Sequence, residues 1–393
     1  MNKIKPSIIL SSLIITSGLY AIEITDYKVV DSYYQDAYLN GSLNVDSGNQ
    51  EQTSYDLHID ANFKTLQSTL PYSWDLELIG SSDFTRGENK DDDSEESYDT
   101  IANAHFDKYI NGNEKLFAYG ATKLGYRKVA TADDADDPYV KVGAGIGWGR
   151  VYNATPLAKA LRIVEDLMKY KIIKKELSKE DYIKLASVID KEDEFKSKYS
   201  PIEYKKYWYE AMEKVFKEAG VLDRESLGAF GIVRIDEILN IEKVSNRLHG
   251  WKVRGGFGKI LSNYDGNSED PTVDGEFEYG LPIGLSSQFS ERLYAEKLLD
   301  SDSNIDYSLT NSMIYTYEIS NRVDWDNSWV INYQAVDGSD DIINNNLSTG
   351  FIYYLPNRLN LTATFSLSKR KGGIDEEENW NKKFVAGIQY RLK

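Results

Sequence analysis

The sequence contains no cysteine, only three histidines, and no long apolar run beyond its N-terminal stretch. Without cysteine there is no disulfide framework, no thiolate metal site and no lipid-linked cysteine anchor. A chain whose apolar runs fall short of roughly 20 residues is not a helical membrane protein. Cationic residues are also in deficit, 46 Lys plus Arg against 63 Asp plus Glu, for a net charge of −17. That balance excludes nucleic acid as a partner, because phosphates require Lys and Arg. Mean hydropathy is low, −0.51, yet aromatics make up 12% of the chain, with 29 Tyr. Disordered chains are poor in aromatics. Low hydropathy combined with many aromatics suits a wall in which only alternate residues meet lipid.

The N-terminus reads as a targeting segment. Lys3 and Lys5 precede an apolar stretch from Ile8 to Ile15, broken by Ser11 and Ser12, and Ser17, Gly18 and Ala21 follow. This is the layout of a secretory signal peptide over residues 1–21, cleaved after Ala21. An exported chain without cysteine fits a Gram-negative envelope.

The dominant pattern in the rest of the chain has a period of two. Tyr55, Leu57, Ile59, Ala61 and Phe63 alternate with Asp56, His58, Asp60, Asn62 and Lys64. Tyr72, Trp74, Leu76 and Leu78 alternate with Ser73, Asp75 and Glu77. In the C-terminal half, Ile305, Tyr307 and Leu309 alternate with Asp306, Ser308 and Thr310, and Leu359 to Leu367 alternates with Asn360 to Ser368. Val323, Trp325, Trp329, Ile331 and Tyr333 do the same, as does the final run Phe384, Ala386, Ile388, Tyr390, Leu392. A strand between lipid and a watery lumen keeps one face this polar over such lengths. Short connections (Leu70-Pro71, Asn111-Gly112-Asn113, Leu281-Pro282, Ser320 to Arg322, Leu355 to Asn357) alternate with longer acidic ones. The acidic set is Glu88 to Glu96, Asp133 to Asp137, Asp265 to Asp270, Asp337 to Asp341 and Asp375 to Glu378. About fourteen strands result, within a range of 12–16.

This architecture resembles the Gram-negative outer-membrane β-barrel, or porin-like, class over residues 34–150 and 249–393. Members of that class usually end on an aromatic residue, whereas here Tyr390 is followed by Arg391, Leu392 and Lys393. The resemblance implies an all-β transmembrane antiparallel barrel in the outer membrane, with tight periplasmic turns and longer external loops.

Between residues 151 and 248 the period becomes helical. Pro156 suits a first helical turn, and Leu157, Leu161, Val164 and Leu167 follow at helical spacing. Ser178 opens a second helix carrying Tyr182, Leu185, Ala186 and Ile189. Ser200-Pro201-Ile202-Glu203 opens a third that carries Tyr204, Trp208, Met212 and Val215 and ends at Gly220. A fourth carries Ile235, Ile238, Leu239 and Val244. The resulting bundle is inserted between strands six and seven, after an inward-running strand, and is therefore expected on the periplasmic side. Residues 22–150 and 249–393 form the barrel. Over residues 155–248 there are 19 basic and 18 acidic residues, and the remainder has 27 and 45, so the acidity belongs to the barrel.

Candidate chemistry is sparse. His58 and His105 fall on the lumen face and His249 at the end of the insert, so a histidine-based catalytic site is not expected. Neither an enzyme activity nor a cofactor or metal site is expected. The acidic loop run Asp91-Asp92-Asp93 lacks the spacing of a calcium loop and reads as solvated surface. The expected pore-lining residues are Asp56, His58, Asp60, Asn62, Lys64, Asp75, Glu77, Lys252, Arg254 and Arg391. Their carboxylates either favour cations or pair with Lys64, Lys252, Arg254 and Arg391. Gly143, Gly145, Gly147 and Gly149 form one face of a strand that something approaches closely, either the helical insert or the barrel's own packing. Tyr207 and Trp208 are the candidate partner contacts of the third helix, whose aromatic stripe otherwise reads as bundle core. The expected function is a porin or channel for small polar solutes, cation-favouring and gated or plugged by the insert. The alternative is a membrane-anchored binding or assembly protein whose helical domain recruits a periplasmic partner or controls a secreted substrate.

Overall fold

In a computed structural model the described residues are 22–392, apart from 111–113, 131, 243, 267–270, 300–304, 337–339, 356–357 and 374–375; side chains 305 and 306 are also outside the description. The expected signal peptide, the Asn111 to Asn113 turn, and parts of the loops at 265–270, 337–341, 355–357 and 375–378 therefore lie wholly or partly outside the described residues.

Fourteen strands close into one antiparallel barrel, each paired with its sequence neighbours and the last with the first. They are β1 (Ser32–Asp46), β2 (Ser54–Ser68), β3 (Tyr72–Arg86), β4 (Ser94–Tyr109), β5 (Leu116–Lys128), β6 (Tyr139–Asn153), β7 (Leu248–Ser262), β8 (Pro271–Ile283), β9 (Ser287–Leu298), β10 (Ile305–Ser320), β11 (Val323–Val336), β12 (Ile342–Tyr354), β13 (Leu359–Lys371) and β14 (Asn381–Arg391). Four helices lie between β6 and β7: α1 (Thr155–Lys169), α2 (Lys179–Asp190), α3 (Glu192–Glu218) and α4 (Gly228–Asn240).

The alternation fixes the two faces. Register places Leu39, Leu43 and Val45 opposite Ala61, Leu57 and Tyr55, and Leu57 opposite Phe84, so one apolar face runs unbroken from strand to strand. This face is outside. Leu43, Ile146, Phe257 and Phe384 are each at least 60% exposed, which a chain in water would not tolerate around a whole wall. Aromatic rings edge this face at both ends, as interfacial girdles do. Toward the short turns lie Trp74 opposite Phe106, Trp148 opposite Val253, and Trp325 stacked on Phe351. Toward the long loops, the ring pairs Tyr98–Tyr126 and Tyr307–Tyr333 each sit 5.6 Å apart. Aliphatic residues such as Leu57, Ile59, Leu309 and Leu361 fill the band between.

The helical domain has the molecule's dry core. Leu157, Leu161, Leu167, Tyr182, Leu185, Trp208, Met212, Phe216, Ile235 and Ile238 are buried together. Ser178 caps α2 by accepting from the Asp181 amide. The third helix differs from expectation. It begins at Glu192, and its two halves meet at a kink at Ser200, whose φ is +75°. Ser200 and Pro201 thus separate a first short segment from the expected one, because proline cannot donate an amide to the preceding turn. Gly220, with φ +64°, follows the C-cap as expected. Val244 is not on α4, which ends at Asn240; it is buried in the extended segment that leads back to the barrel. Ile22, Ile24 and Tyr27 join the helical core, and Asp26 pairs with Lys179 at 2.7 Å. The segment before β1 therefore belongs structurally to the helical domain.

Candidate functional site: the barrel interior

All ten residues expected to line a pore lie on the inner face. The register pairs Asp56, His58, Asp60, Asn62 and Lys64 with inward positions of β1, and Lys252 and Arg254 with Glu278 and Glu276. Contacts between strands far apart in the barrel establish that this face is interior. Arg292 on β9 reaches Glu77 on β3 at 3.5 Å, and Arg254 on β7 reaches Asp75 on β3 at 3.7 Å.

These contacts belong to one ionic cluster that crosses the lumen between β2–β4 and β7–β9. Arg254 is its centre. It donates to both oxygens of Asp107, at 3.1 and 2.9 Å, to Glu276 at 2.8 Å and to Glu278 at 2.5 Å. Lys252 adds Asp107 at 3.3 Å and Glu278 at 3.2 Å. Arg292 bonds Glu276 at 2.5 Å. His105 bridges Asp75 at 3.0 Å and Glu276 at 3.7 Å, and Lys64 stands 3.8 Å from Glu77. Five carboxylates thus meet four permanent cations and one imidazole. Arg254, Lys252 and Asp107 are almost fully buried, and only dense pairing makes such burial tolerable. Above this cluster Lys141 holds Asp274 at 2.6 Å and also pairs with Glu296. A cavity of about 260 Å³ beside it is lined by His105, Tyr119, Lys123, Lys141, Arg292 and Tyr294, among others.

The ionic cluster was partly legible in the sequence. Asp107, Glu276, Glu278 and Arg292 were not among the expected pore residues. The signal that could have found them is the same alternation: Asp274, Glu276 and Glu278 between Val273, Gly275, Phe277 and Tyr279.

On β10–β13 the middle of the inner face is polar and mostly uncharged, with Glu318, Asp324 and Asp326 toward the short turns and Arg370 toward the long loops. On β10–β13, inward positions carry Thr310, Ser312, Ser328, Asn332, Asn346, Ser348, Thr362, Thr364 and Ser366, all paired inward by register. At the loop end of β1–β4 the inner face is acidic: Asp46, Asp56, Asp60, Asp83 and Asp99. His58 joins Asp83 at 2.5 Å and Asp60 at 3.0 Å.

The glycine face of β6 is where neighbouring strands pack most closely against its backbone. A Cβ on Gly147 would lie 2.2 Å from the Phe117 ring, and one on Gly145 would meet Tyr119 at 2.8 Å. The close approach is therefore made by the barrel's own packing, from the β7 backbone (the Gly255 carbonyl 2.3 Å from a Cβ on Gly145, the Trp251 carbonyl 2.3 Å from one on Gly149) and the aromatic side chains of β5, not by the helical insert.

The helical domain sits at the end of the short turns, the same end as the start of β1 and the end of β14. The segment joining α4 to β7 reaches inside the rim. The Ser245 amide donates to Glu318 at 2.6 Å and its hydroxyl to Asp324 at 2.6 Å, and Asn246 donates to the Tyr34 hydroxyl at 2.7 Å. Glu318 also pairs with Arg162 of α1 and with fully buried Arg247 at 2.9 Å. Burial pulls the Arg247 guanidinium below its usual range, against the attraction of Glu318. A polar cavity of about 450 Å³ remains between the helices and the base of β1, lined by Tyr34, Asp36, Lys159, Asp190, Asn246 and Arg391 among others. Burial pushes the Asp190 carboxyl up to about 7, against the pull of Lys159 and a hydrogen bond from Ser32.

Trp208 is buried, with its indole N–H donating to the Val188 carbonyl at 2.7 Å, so it is core and offers no surface to a partner. Tyr207 is half-buried, its ring stacked 4.0 Å from that of Tyr199.

No family model matches the sequence, and no curated protein matches it. Solved structures do. One is a TodX deltaS2S3 mutant monoaromatic hydrocarbon channel, 10% identical, with 92% of this chain and 90% of that one covered and a TM-score of 0.34. Another is Pseudomonas aeruginosa OccK2 (OpdF), 8% identical, 91% and 98% covered, TM-score 0.33. A third is the COG4313 outer membrane channel from Pseudomonas putida F1, 8% identical, 94% and 98% covered, TM-score 0.35. At such identities and scores none of them assigns a solute to this chain.

Proposed function

We propose that this chain is an outer-membrane channel for small polar solutes, with its helical domain on the periplasmic side as a gate. The observation that carries the reading is the divided interior. Internally matched charges cross one half of the lumen, while the middle of the β10–β13 wall presents mainly hydroxyl and amide groups, its inward charges lying at the two ends. Such a surface hydrogen-bonds to a hydrated solute without trapping it, as conduction requires. The girdled apolar exterior supports the membrane location, and the short turns and long loops support the orientation.

Any cation preference is assigned to the loop end rather than to the cluster. Asp75 and Glu77 each face cations directly, which leaves Asp46, Asp56 and Asp99 with no cation at ion-pair distance among the described residues. The alternative role, partner recruitment by the helical domain, loses one of its two nominated contact residues, since Trp208 is buried. Planar-bilayer recording of the whole chain and of a chain lacking residues 155–247 tests the proposal. Discrete conductance steps that grow when the helices are removed are expected; a barrel that inserts but never conducts in either form would sink it.

A further inference from the structure

The barrel's closing seam is incomplete in a directional way. Register between β1 and β2 runs the whole strand, from Ser32↔Ser68 to Asp46↔Ser54, and β13 pairs with β14 from Leu359↔Tyr390 to Ser368↔Asn381. By contrast, β1 and β14 pair only from Tyr38↔Arg391 to Gly41↔Ile388, with one further bond from the Leu392 amide to the Ala37 carbonyl at 2.8 Å. Beyond Gly41 the two strands continue as strands, β1 to Asp46 and β14 back to Asn381, without pairing to each other. The split therefore occupies the half of the wall nearer the long loops. It lies within the apolar band, because Phe384 pairs with Phe365, and Ile388 with Leu361, on β13. Leu43, Val45 and Phe384 are 60%, 57% and 69% exposed along its outer edges.

The sequence on the two edges matches nonetheless. Extending the observed register brings Ser42 opposite Gly387, Leu43 opposite Ala386, Asn44 opposite Val385, Val45 opposite Phe384 and Asp46 opposite Lys383. The outward pairs are apolar and the last inward pair has opposite charges, a favourable cross-strand combination. Unpaired backbone facing hydrocarbon is costly, so an edge that can zip yet stands open has two accessible states. We propose that the β1–β14 seam is a lateral gate that passes molecules with a hydrocarbon tail and a polar head between the lumen and the outer half of the bilayer. The tail lies against Leu43, Val45 and Phe384 in the opening. The head stays on the lumen side among Asn44, Asp46, Lys383 and Ser366, the last paired with Lys383 by register. This lateral route is separate from the axial polar route proposed above.

The absence of native cysteine makes the test clean. Asn40→Cys with Gln389→Cys lies inside the observed pairing, and Asn44→Cys with Val385→Cys lies in the split. On mild oxidation the first pair should form its disulfide fast and fully, and the second slowly, as the gate visits its zipped state. Bridging the second pair with a short bismaleimide should abolish transfer of a fluorescent dodecyl sulfonate from the lumen of reconstituted protein into the surrounding bilayer, with ion conductance unchanged. Lys383→Glu, which removes the closing charge pair, should increase that transfer several-fold. Equal oxidation of both pairs would show a seam closed along its length and overturn the proposal; so would unchanged dye transfer after bridging. Loss of ion conductance in the unmodified protein would count against the axial channel and leave the seam result to be read from the dye.

Discussion

Among single residues, the informative ones are charges whose fate depends on where the fold puts them. Asp56, Asp60, Asp75 and Glu77 look alike in the sequence, all on the polar side of an alternating strand. The structure separates them: Asp75 lies beside Arg254 and His105, and Glu77 beside Arg292 and Lys64, whereas Asp56 meets no cation at ion-pair distance among the described residues. Sequence alternation told which face each occupies but not which cation would cross the lumen to meet it, because that depends on barrel diameter. Asp56→Asn with Asp60→Asn should therefore lower cation preference, read as a reversal potential in a salt gradient, whereas Asp75→Asn should change it little. The opposite ranking would place the selecting charge in the cluster. Asp190 gives a pH signature in the helical domain. Its carboxyl is raised to about 7 by burial, so the folded state holds the proton more tightly than the unfolded chain. That stabilisation is complete below the ordinary Asp range and is lost as pH rises through 7. Asp190→Asn should flatten the stability profile between pH 5 and 8 and add roughly 1–2 kcal/mol at the alkaline end. Thermal melts across that range decide it, and a profile identical to that of the parent chain would show that Asp190 is not the titrating group.

The secondary-structure elements were legible to different degrees, for physical reasons. The strands were legible because a wall between lipid and water imposes strict alternation; the alternating runs Tyr55 to Lys64 and Tyr72 to Leu78 lie within β2 (Ser54–Ser68) and β3 (Tyr72–Arg86). The start of α3 was missed because Glu192 to Tyr199 carries five charged residues and few apolar ones, so no periodicity announces it. That segment is held by stacking of Phe195 on Tyr199 and of Tyr199 on Tyr207, by Lys196 pairing with Glu192 and Asp193, and by the Tyr204 hydroxyl donating to Glu192. Two predictions belong here. On β13, Leu361→Lys should cost about 2–4 kcal/mol near the midplane, while Thr362→Lys, one residue on and facing water, should cost little; folding titrations into lipid vesicles compare them, and equal costs would contradict the assigned faces. On α3, Trp208→Ala should destabilise the helical domain by roughly 3–5 kcal/mol, because it empties the core and removes the indole hydrogen bond to the Val188 carbonyl. Loss of the helical signal on heating, with the β-sheet signal retained, is the expected readout.

For the whole molecule, the question is how a helical domain stays seated on a barrel with which it shares no sheet. Its attachment is ionic and concentrated: Arg162 and Arg247 converge on Glu318, and Ser245 ties the same segment to Glu318 and Asp324. Arg247 has no solvent exposure, and Glu318 is the carboxylate at ion-pair distance from it among the described residues. Removing that carboxylate leaves a buried cation unpaired, a change that typically costs about 3–5 kcal/mol. The barrel has little stake in the contact, because Glu318 lies near the end of β10 and its strand pairing is made by backbone. Glu318→Gln should therefore loosen the seating without unfolding the wall: the barrel should still insert, and single channels should show larger or more frequently opening conductance than the parent. Glu318→Asp, which keeps the charge on a shorter arm, should fall between them. If Glu318→Gln conducts as the parent does while protease reaches residues 192–200 no faster, the ionic contact does not hold the domain in place.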